Sequence, residues 1–136
     1  VFGIFGTERK AKAAEILERV GMAEKINQPA DSLSGGEQQR TAIARAIMQG
    51  GNILLADEPV ASLDPANAED VLELMKSLQK EKNITVIMNS HNIEQAVKYS
   101  DWIIGLNSGR IIYEGKPENL TAEIKEDIYR RDNSNG

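Results

Sequence analysis

The chain has 136 residues, of which 40% are hydrophobic and 27% are charged, a composition ordinary for one soluble globular domain. Its net charge of -5 argues against a surface that binds nucleic acid or anionic lipid. The absence of cysteine excludes a disulfide framework and fits the cytoplasm, and no apolar run approaches the ~20 residues that a spanning helix needs. Because Val1 is not a start methionine, we expect the chain to begin within a larger protein.

Apolar periodicity predicts helices at residues 8–20, 35–48, 65 onward, 92–99 and 121–130, and strands at 53–56, 84–88, 102–106 and 110–114. Thr7 is expected to cap the first helix, and Ala42 to lie on the buried stripe of the second. The strand at 53–56 contains no polar residue, which predicts burial of both its faces. The alternation between residues 53 and 106 predicts a parallel α/β sheet, followed by a hairpin that turns at Asn107-Ser108-Gly109.

The segment Ser34-Gly35-Gly36-Glu37 fits a capping box, in which Ser34 caps the helix and Glu37 returns a hydrogen bond. By itself this pattern indicates only a well-formed helix start. The two glycines indicate more, because a cap needs no glycine there and glycine costs conformational entropy. Without Cβ atoms, another group can approach the free N–H groups and the positive end of the helix dipole. The segment therefore predicts a site for phosphate.

Two adjacent carboxylates follow the apolar strand at 53–56, in the segment Asp57-Glu58-Pro59. Ligands of parallel sheets bind beyond the carboxyl ends of the strands, which is where this carboxylate pair falls. Adjacent strand residues point to opposite faces, so the two side chains are expected to have different roles. Asp57 would help to hold Mg²⁺ and Glu58 would orient and deprotonate an attacking water. The alternative is a polar turn after a core strand.

His91 is the only histidine of the chain and follows the predicted strand at 84–88. A lone histidine is more often a surface or core residue than a catalytic one. Here the expected sheet edge is the one that presents Glu58, where His91 could donate a hydrogen bond to a γ-phosphate or hold the attacking water.

Together these segments resemble the motifs of an ABC-transporter ATP-binding subunit. Residues 33–40 resemble the signature motif, residues 53–59 the Walker B motif and residues 61–64 the D-loop, while His91 stands where the family has its switch histidine. The resemblance covers essentially the whole chain and is to the C-terminal half of such a subunit. It implies an α/β, P-loop NTPase-like (RecA-like) fold with a partial parallel sheet and flanking helices. Residues 1–50 would form part of the helical subdomain, and residues 51–136 the C-terminal part of the ATPase core.

The resemblance also implies roles for individual residues. Glu58 and His91 would be catalytic, and Asp57 would hold the metal. The residues expected to contact nucleotide in a dimer of two such subunits are Ser34, Gly35, Gly36, Glu37, Gln38, Ser62, Leu63 and Asp64. Asp64, which Pro65 follows, is in any case expected to cap the third helix.

Within the family, the chain looks most like the phosphonate-importer ATPases, on the basis of Ala56 to Pro65, of residues 2–5 and of residues 46–49. This implies a motor for import of phosphonates or related oxyanions, with ATP and Mg²⁺ as ligands. It also implies a homodimer with a second ATP-binding subunit, a transmembrane permease, an indirect link to a substrate-binding protein, and no nucleic-acid partner. The subunit would lie in the cytoplasm, bound to the inner face of the membrane through the permease.

One family element has no match, because no G-x-x-x-x-G-K-[ST] sequence, the Walker A motif, occurs in the 136 residues. Without it the β- and γ-phosphates have no cradle, so this chain alone is expected to bind and hydrolyse ATP negligibly. The Walker A strand lies in the family between the strands that correspond here to 84–88 and 102–106. Its absence would leave two unpaired edges, through which the chain is expected to self-associate unless the sheet rearranges.

Two alternatives to the importer motor remain at this stage. A soluble, non-transport ABC ATPase would share the same motifs, although such proteins usually carry coiled coils or tandem cassettes. A nonenzymatic interaction domain would use the chain as it stands.

Overall fold

The computed structural model of the protein describes residues 6–130, so the segment at 2–5 lies outside the described residues. The five helices are α1 (Thr7–Arg19), α2 (Gly35–Gln49), α3 (Pro65–Lys82), α4 (Ile93–Tyr99) and α5 (Ala122–Tyr129). The four strands are β1 (Ile53–Asp57), β2 (Thr85–Asn89), β3 (Ile103–Asn107) and β4 (Arg110–Gly115). Short 3-10 turns occupy Ala23–Lys25, Ala30–Ser32 and Pro117–Asn119. Among these described helices, none is both long and apolar enough to cross a membrane.

The chain divides into two compact units, Val1–Asn89 and Ser90–Gly136. In the first unit α1 packs on α2, α2 on α3, and α3 on β2. The core of this unit is apolar and lies mainly between the helices: Ile16, Val20, Met22, Ile43, Ala44, Val71, Leu72, Met75 and Leu78 are buried. Ala42, predicted for the buried stripe of α2, is exposed, and the neighbouring Ala44 is buried instead.

Of the three predicted caps, Ser34 and Asp64 are confirmed and Thr7 is not, while Asn92 and Thr121 are caps that were predicted only as helix starts. Ser34, Asp64, Asn92 and Thr121 each accept a hydrogen bond from a backbone N–H at the start of their helix. Thr7, however, is the first residue of α1, and Gly6 occupies the cap position without a side-chain bond. The prediction of Thr7 as the cap was therefore wrong by one residue, a common uncertainty at helix ends.

Strands β1 and β2 form a two-stranded parallel sheet in which Asp57 is paired with Asn89 and Leu55 with Ile87. Leu54, Ala56, Val86 and Met88 are half-buried, in keeping with the packing of α3 against β2. The other face is open, because Ile53, Leu55 and Ile87 are 61%, 72% and 56% exposed. The prediction of a strand buried on both faces is thus wrong, because helix α3 of the same unit packs on β2 while Ile53, Leu55 and Ile87 stay exposed.

The second unit contains the predicted hairpin, in which β3 and β4 pair antiparallel around Ser108 and Gly109. Both of these residues have positive φ, 49° and 75°, as a two-residue hairpin turn requires. Helix α5 packs against both strands. Gly105 lies so close to this helix that an added Cβ would approach Ile128 Cδ1 to 2.5 Å.

Candidate functional site

The N-terminus of α2 carries the predicted capping box. The Ser34 N–H donates to Glu37 Oε2 at 2.9 Å, and the Glu37 N–H donates to Ser34 Oγ at 3.4 Å. The bond from the Ser34 N–H, together with Lys25 Nζ at 3.4 Å from Glu37 Oε1, lowers the pKa of Glu37 below its usual 4.5. Gln38 turns back to donate to the Leu33 carbonyl at 3.0 Å. The backbone at the start of α2 is therefore bonded by three nearby side chains, those of Ser34, Glu37 and Gln38.

The two glycines of this helix start abut another part of the same unit. A Cβ on Gly35 would lie 3.3 Å from Leu63 Cδ2, and a Cβ on Gly36 would lie 3.1 Å from Asn67 Oδ1. Gly36 is buried. Packing within the chain is thus a second reason for glycine at these positions. The sequence predicted only the first reason, the close approach of a ligand.

The segment from Glu58 to Asp64 forms a loop, called here the connecting loop, between β1 and α3. Its backbone is internally bonded, with the Ala61 N–H on the Glu58 carbonyl at 3.2 Å and the Leu63 N–H on the Val60 carbonyl at 3.1 Å. Val60 is buried, Leu63 is half-buried and Ser62 is exposed. The loop is therefore an ordered element that presents Ser62 at the surface.

Asp64 ends the connecting loop and caps α3, as predicted. Its Oδ1 accepts from the Asn67 N–H at 3.2 Å and its Oδ2 accepts from Asn67 Nδ2 at 2.6 Å. These bonds from Asn67, the side-chain bond first, lower the pKa of Asp64 below its usual 3.8. Asn67 contacts both this cap and Gly36, and it was not singled out from the sequence. Its place three residues after a predicted cap was the signal that could have found it.

The carboxylate pair, Asp57 and Glu58, lies at the carboxyl end of β1, and Asn89 at the end of β2 touches both of its members. Asn89 Nδ2 donates to Asp57 Oδ1 at 2.9 Å, and the Asn89 carbonyl accepts from the Glu58 N–H at 3.1 Å. Asn89 was also missed from the sequence, where it reads only as the polar end of an apolar run. The structure makes it the common partner of the pair.

Glu58 has a left-handed backbone conformation, with φ of 43°, which is uncommon for a residue other than glycine. The strand ends at Asp57. Asp57 and Glu58 are therefore not two residues of one strand, and the prediction that their side chains point to opposite faces on that ground does not hold. Instead, the chain turns at Glu58. Strained backbone of this kind clusters at functional sites and persists where surrounding contacts hold it.

His91 belongs to the second unit, in the loop that leads to α4. Asn92 caps α4, its Oδ1 accepting from the N–H groups of Glu94 and Gln95 at 3.0 and 3.1 Å. The Tyr129 hydroxyl donates to the His91 carbonyl at 2.5 Å. Tyr129 was not predicted, because nothing in the sequence brings the end of α5 to this loop.

The structure thus brings the predicted residues of the first unit into two groups. One contains Gly35, Gly36, Leu63 and Asp64, and the other contains Asp57 and Glu58 with Asn89. No cluster of three or more His, Cys, Asp or Glu side chains suited to a metal ion occurs between residues 6 and 130. A metal ion at the pair would therefore take one or two protein carboxylates and draw its other ligands from elsewhere.

Comparison with known proteins agrees with the resemblance to ABC-transporter subunits. The sequence model described as ABC transporter matches residues 3–61. The phosphonates import ATP-binding protein PhnC of Rhizobium etli is 45% identical over 132 residues, which are 97% of this chain and 47% of that protein. The chain thus spans about half the length of the curated relatives that it matches.

Solved structures are similar over most of the chain. The cbiO1 protein of Clostridium perfringens, part of an ABC transporter complex, is 31% identical with a TM-score of 0.81, covering 90% of this chain and 49% of that one. An ATP-binding cassette in a dimeric, post-hydrolysis state bound to ADP and Pi is 36% identical with a TM-score of 0.70, covering 86% and 51%. One is part of an ABC transporter complex and the other is an ATP-binding cassette, and their similarity to this chain agrees with the α/β fold described above.

Proposed function

The chain belongs to the ABC transporter family, and from this premise we propose that it is part of an ATP-hydrolysing subunit that drives import. The observation that carries the proposal is the pair of carboxylates at the end of a parallel strand, where Asn89 bonds the Asp57 carboxylate and the Glu58 backbone N–H. The left-handed backbone of Glu58 supports a functional role, because strained backbone of this kind clusters at functional sites. The proposal assigns to this chain the hydrolytic residues and the signature segment.

Asp57 is the residue that would hold Mg²⁺ accompanying the nucleotide. Mg²⁺ keeps several waters and takes one or two carboxylates plus phosphate oxygens, so the single carboxylate of Asp57 fits it without a larger cluster. The Asn89 amide orients this carboxylate through Oδ1. When bound, the ion would neutralise charge on the phosphates.

Glu58 would act as the general base that takes a proton from the attacking water. Asp57 is the last residue of β1 and Glu58 lies in the turn that follows, so the proposed metal ligand and the proposed base stand on different local structure. His91 would contribute a hydrogen bond to the γ-phosphate or to the water. A positioned base contributes about 10²–10⁴-fold to rate.

Ser34, Gly35 and Gly36 would serve nucleotide held by a second copy of the subunit, with Glu37 and Gln38 holding the helix start in shape. Ser62, Leu63 and Asp64 would lie at the same dimer interface. The packing of Gly35 on Leu63 supports this arrangement, because it makes the signature segment and the connecting loop neighbours on one unit. The similar cassette solved as a dimer with ADP and Pi supports it further.

Phosphonates or related oxyanions are the proposed cargo, since the relatives at 45% identity are named for phosphonate import. A transmembrane permease would be the membrane partner, holding the subunit at the cytoplasmic face, and a substrate-binding protein would act indirectly. The cargo itself would contact those proteins and not the residues described here.

A chimera tests the proposal, with residues 1–136 replacing the matched portion of the Rhizobium etli protein. The chimera should hydrolyse ATP, and Glu58→Gln in it should retain ATP binding and reduce turnover by about 10²-fold or more. Glu15→Gln, on the exposed side of α1, is the matched control and should keep full turnover. Unchanged turnover in a Glu58→Gln chimera that binds ATP would remove Glu58 from the base role.

A further inference from the structure

We propose that Tyr129 is a positioning residue for His91, holding through its hydroxyl the backbone of the loop that carries the histidine. This inference rests on the proposed function, because it gives Tyr129 a part in hydrolysis only through His91. The contact lies within the second unit, where both residues belong. It joins the last helix of the described chain to a loop 38 residues earlier in the sequence.

The bond itself is directed at the main chain. The Tyr129 hydroxyl donates to the His91 carbonyl oxygen at 2.5 Å, the short end of the range for an O–H···O bond. The Tyr129 residue is 54% exposed, so burial of its ring gives little reason for the side chain to stay in this place. The bond therefore acts on the backbone of the loop at His91.

Helix α5 is anchored on both sides of Tyr129, which fixes where the hydroxyl stands. Asn107 Nδ2, at the hairpin turn, donates to the Asp127 carbonyl at 2.6 Å and to the Arg130 carbonyl at 2.8 Å. Ile128 packs on Gly105, where even a Cβ would not fit. The hairpin therefore places the end of α5, and α5 places the donor.

The loop around His91 is held at its other side by α4. The Asn92 N–H donates to Ser90 Oγ at 3.1 Å, while the Asn92 side chain caps the helix. The peptide unit between His91 and Asn92 is thus bonded through its N–H to Ser90 and through its carbonyl to Tyr129. With both ends of this peptide fixed, the direction in which the His91 side chain leaves the backbone is restricted.

Backbone NMR on the 136-residue chain tests the bond directly. Tyr129→Phe keeps the ring and removes the donor, so the ¹³C′ resonance of His91 should move upfield and the amide order parameter of Asn92 should fall from about 0.85 towards about 0.6. Tyr113→Phe is the matched control, because the Tyr113 hydroxyl donates to the Lys116 carbonyl at the same 2.5 Å within the same unit. It should shift Lys116 and leave His91 unchanged. A His91 carbonyl that does not respond to Tyr129→Phe overturns the proposal.

The chimera then separates this inference from the proposed function. Tyr129→Phe should lower kcat by about 3- to 10-fold, the effect of one neutral hydrogen bond, with KM for ATP unchanged. Tyr113→Phe should leave kcat unchanged. If His91→Ala lowers turnover and Tyr129→Phe does not, the positioning role is refuted while the proposed function stands. If His91→Ala has no effect, the catalytic role of His91 fails, and the role of Tyr129 with it.

Discussion

Replacement of Gly36 by alanine tests whether the glycines at the start of α2 are required by packing within the chain. The added Cβ would lie 3.1 Å from Asn67 Oδ1 and 3.4 Å from its Cγ, closer than ordinary van der Waals contact. Asn67 is itself held by two bonds to Asp64, so the side chain must give up part of that geometry to make room. The substitution therefore has two opposing effects on stability. Crowding of Asn67 destabilises the folded chain, and the lower conformational entropy of alanine in the unfolded chain stabilises it.

The cost of crowding is expected to exceed the entropic gain by a small amount. An added methylene in packed surroundings costs about 1–3 kcal/mol, and the lower end applies because the exposed Asn67 can shift. Alanine in place of glycine in a helix gains about 0.5 kcal/mol at the lower end of its range. Gly36→Ala should thus destabilise the protein by about 0.5 kcal/mol, the difference between the two effects.

A double-mutant cycle with Asn67→Ala isolates the contact. Without the Asn67 amide, the nearest remaining neighbour of the new methyl is the Asn67 Cβ at 3.6 Å, which is ordinary contact. In that background Gly36→Ala should stabilise the protein by about 0.5 kcal/mol. The coupling energy between the two substitutions is then about 1 kcal/mol, whereas the effects of independent sites add to within roughly 0.3–0.5 kcal/mol.

Urea unfolding followed by far-UV circular dichroism measures the four stabilities. Gly35→Ala is the control, because its Cβ would meet only the flexible end of Leu63 and should not couple to Asn67. Additive effects of Gly36→Ala and Asn67→Ala would refute the packing account. The glycine would then again be explained only by the approach of a ligand.

Four further predictions concern charge, the metal site, association and nucleotide. The folded-state pKa of Glu37 lies below the usual 4.5, so the stability that this carboxylate contributes is present above 4.5 and is lost as pH falls through the folded value. Thermal melts should therefore show a smaller acid destabilisation in Glu37→Gln than in the parent chain, and equal losses would contradict it. Asn89→Ala in the chimera should raise several-fold the Mg²⁺ concentration for half-maximal ATPase activity, because Asp57 loses its donor; an unchanged Mg²⁺ titration would exclude that role. The chain alone should self-associate in light scattering through its unpaired strand edges, and a parent chain that is a monomer would count against this; Leu55→Thr should lower association through the open face of β1, where Leu55 is 72% exposed. Fluorescent ATP should not bind the chain alone, and micromolar affinity would show that a cradle for phosphate exists without the Walker A sequence.

The caps and periodic helices were the part of the fold that the sequence predicted well. Ser34 and Asp64 are short-range features, because a cap and the N–H groups that it accepts lie within four residues of each other. The hairpin at Ser108-Gly109 is equally local. Such features depend little on what else the chain contacts, which is why a single sequence is enough to find them.

Long-range contacts were the part that the sequence could not supply. Asn89 lies 32 residues from Asp57, and Tyr129 lies 38 residues from His91. Polar residues at the end of a strand or helix are common, and only the folded chain decides which of them meet. The exposed face of β1 was mispredicted for the same reason, because an apolar strand reports its own preference for burial and not whether the described chain has a layer to cover it.

The connecting loop links the two groups of candidate residues along the chain. It begins at Glu58, whose N–H is held by Asn89, and it ends at Asp64, whose partner Asn67 touches Gly36. Between these ends it has two internal backbone bonds, and Val60 is buried. The residue proposed to activate water and the segment proposed to serve nucleotide on a second subunit are therefore joined by one short ordered loop and by the contact of Asn67 with Gly36.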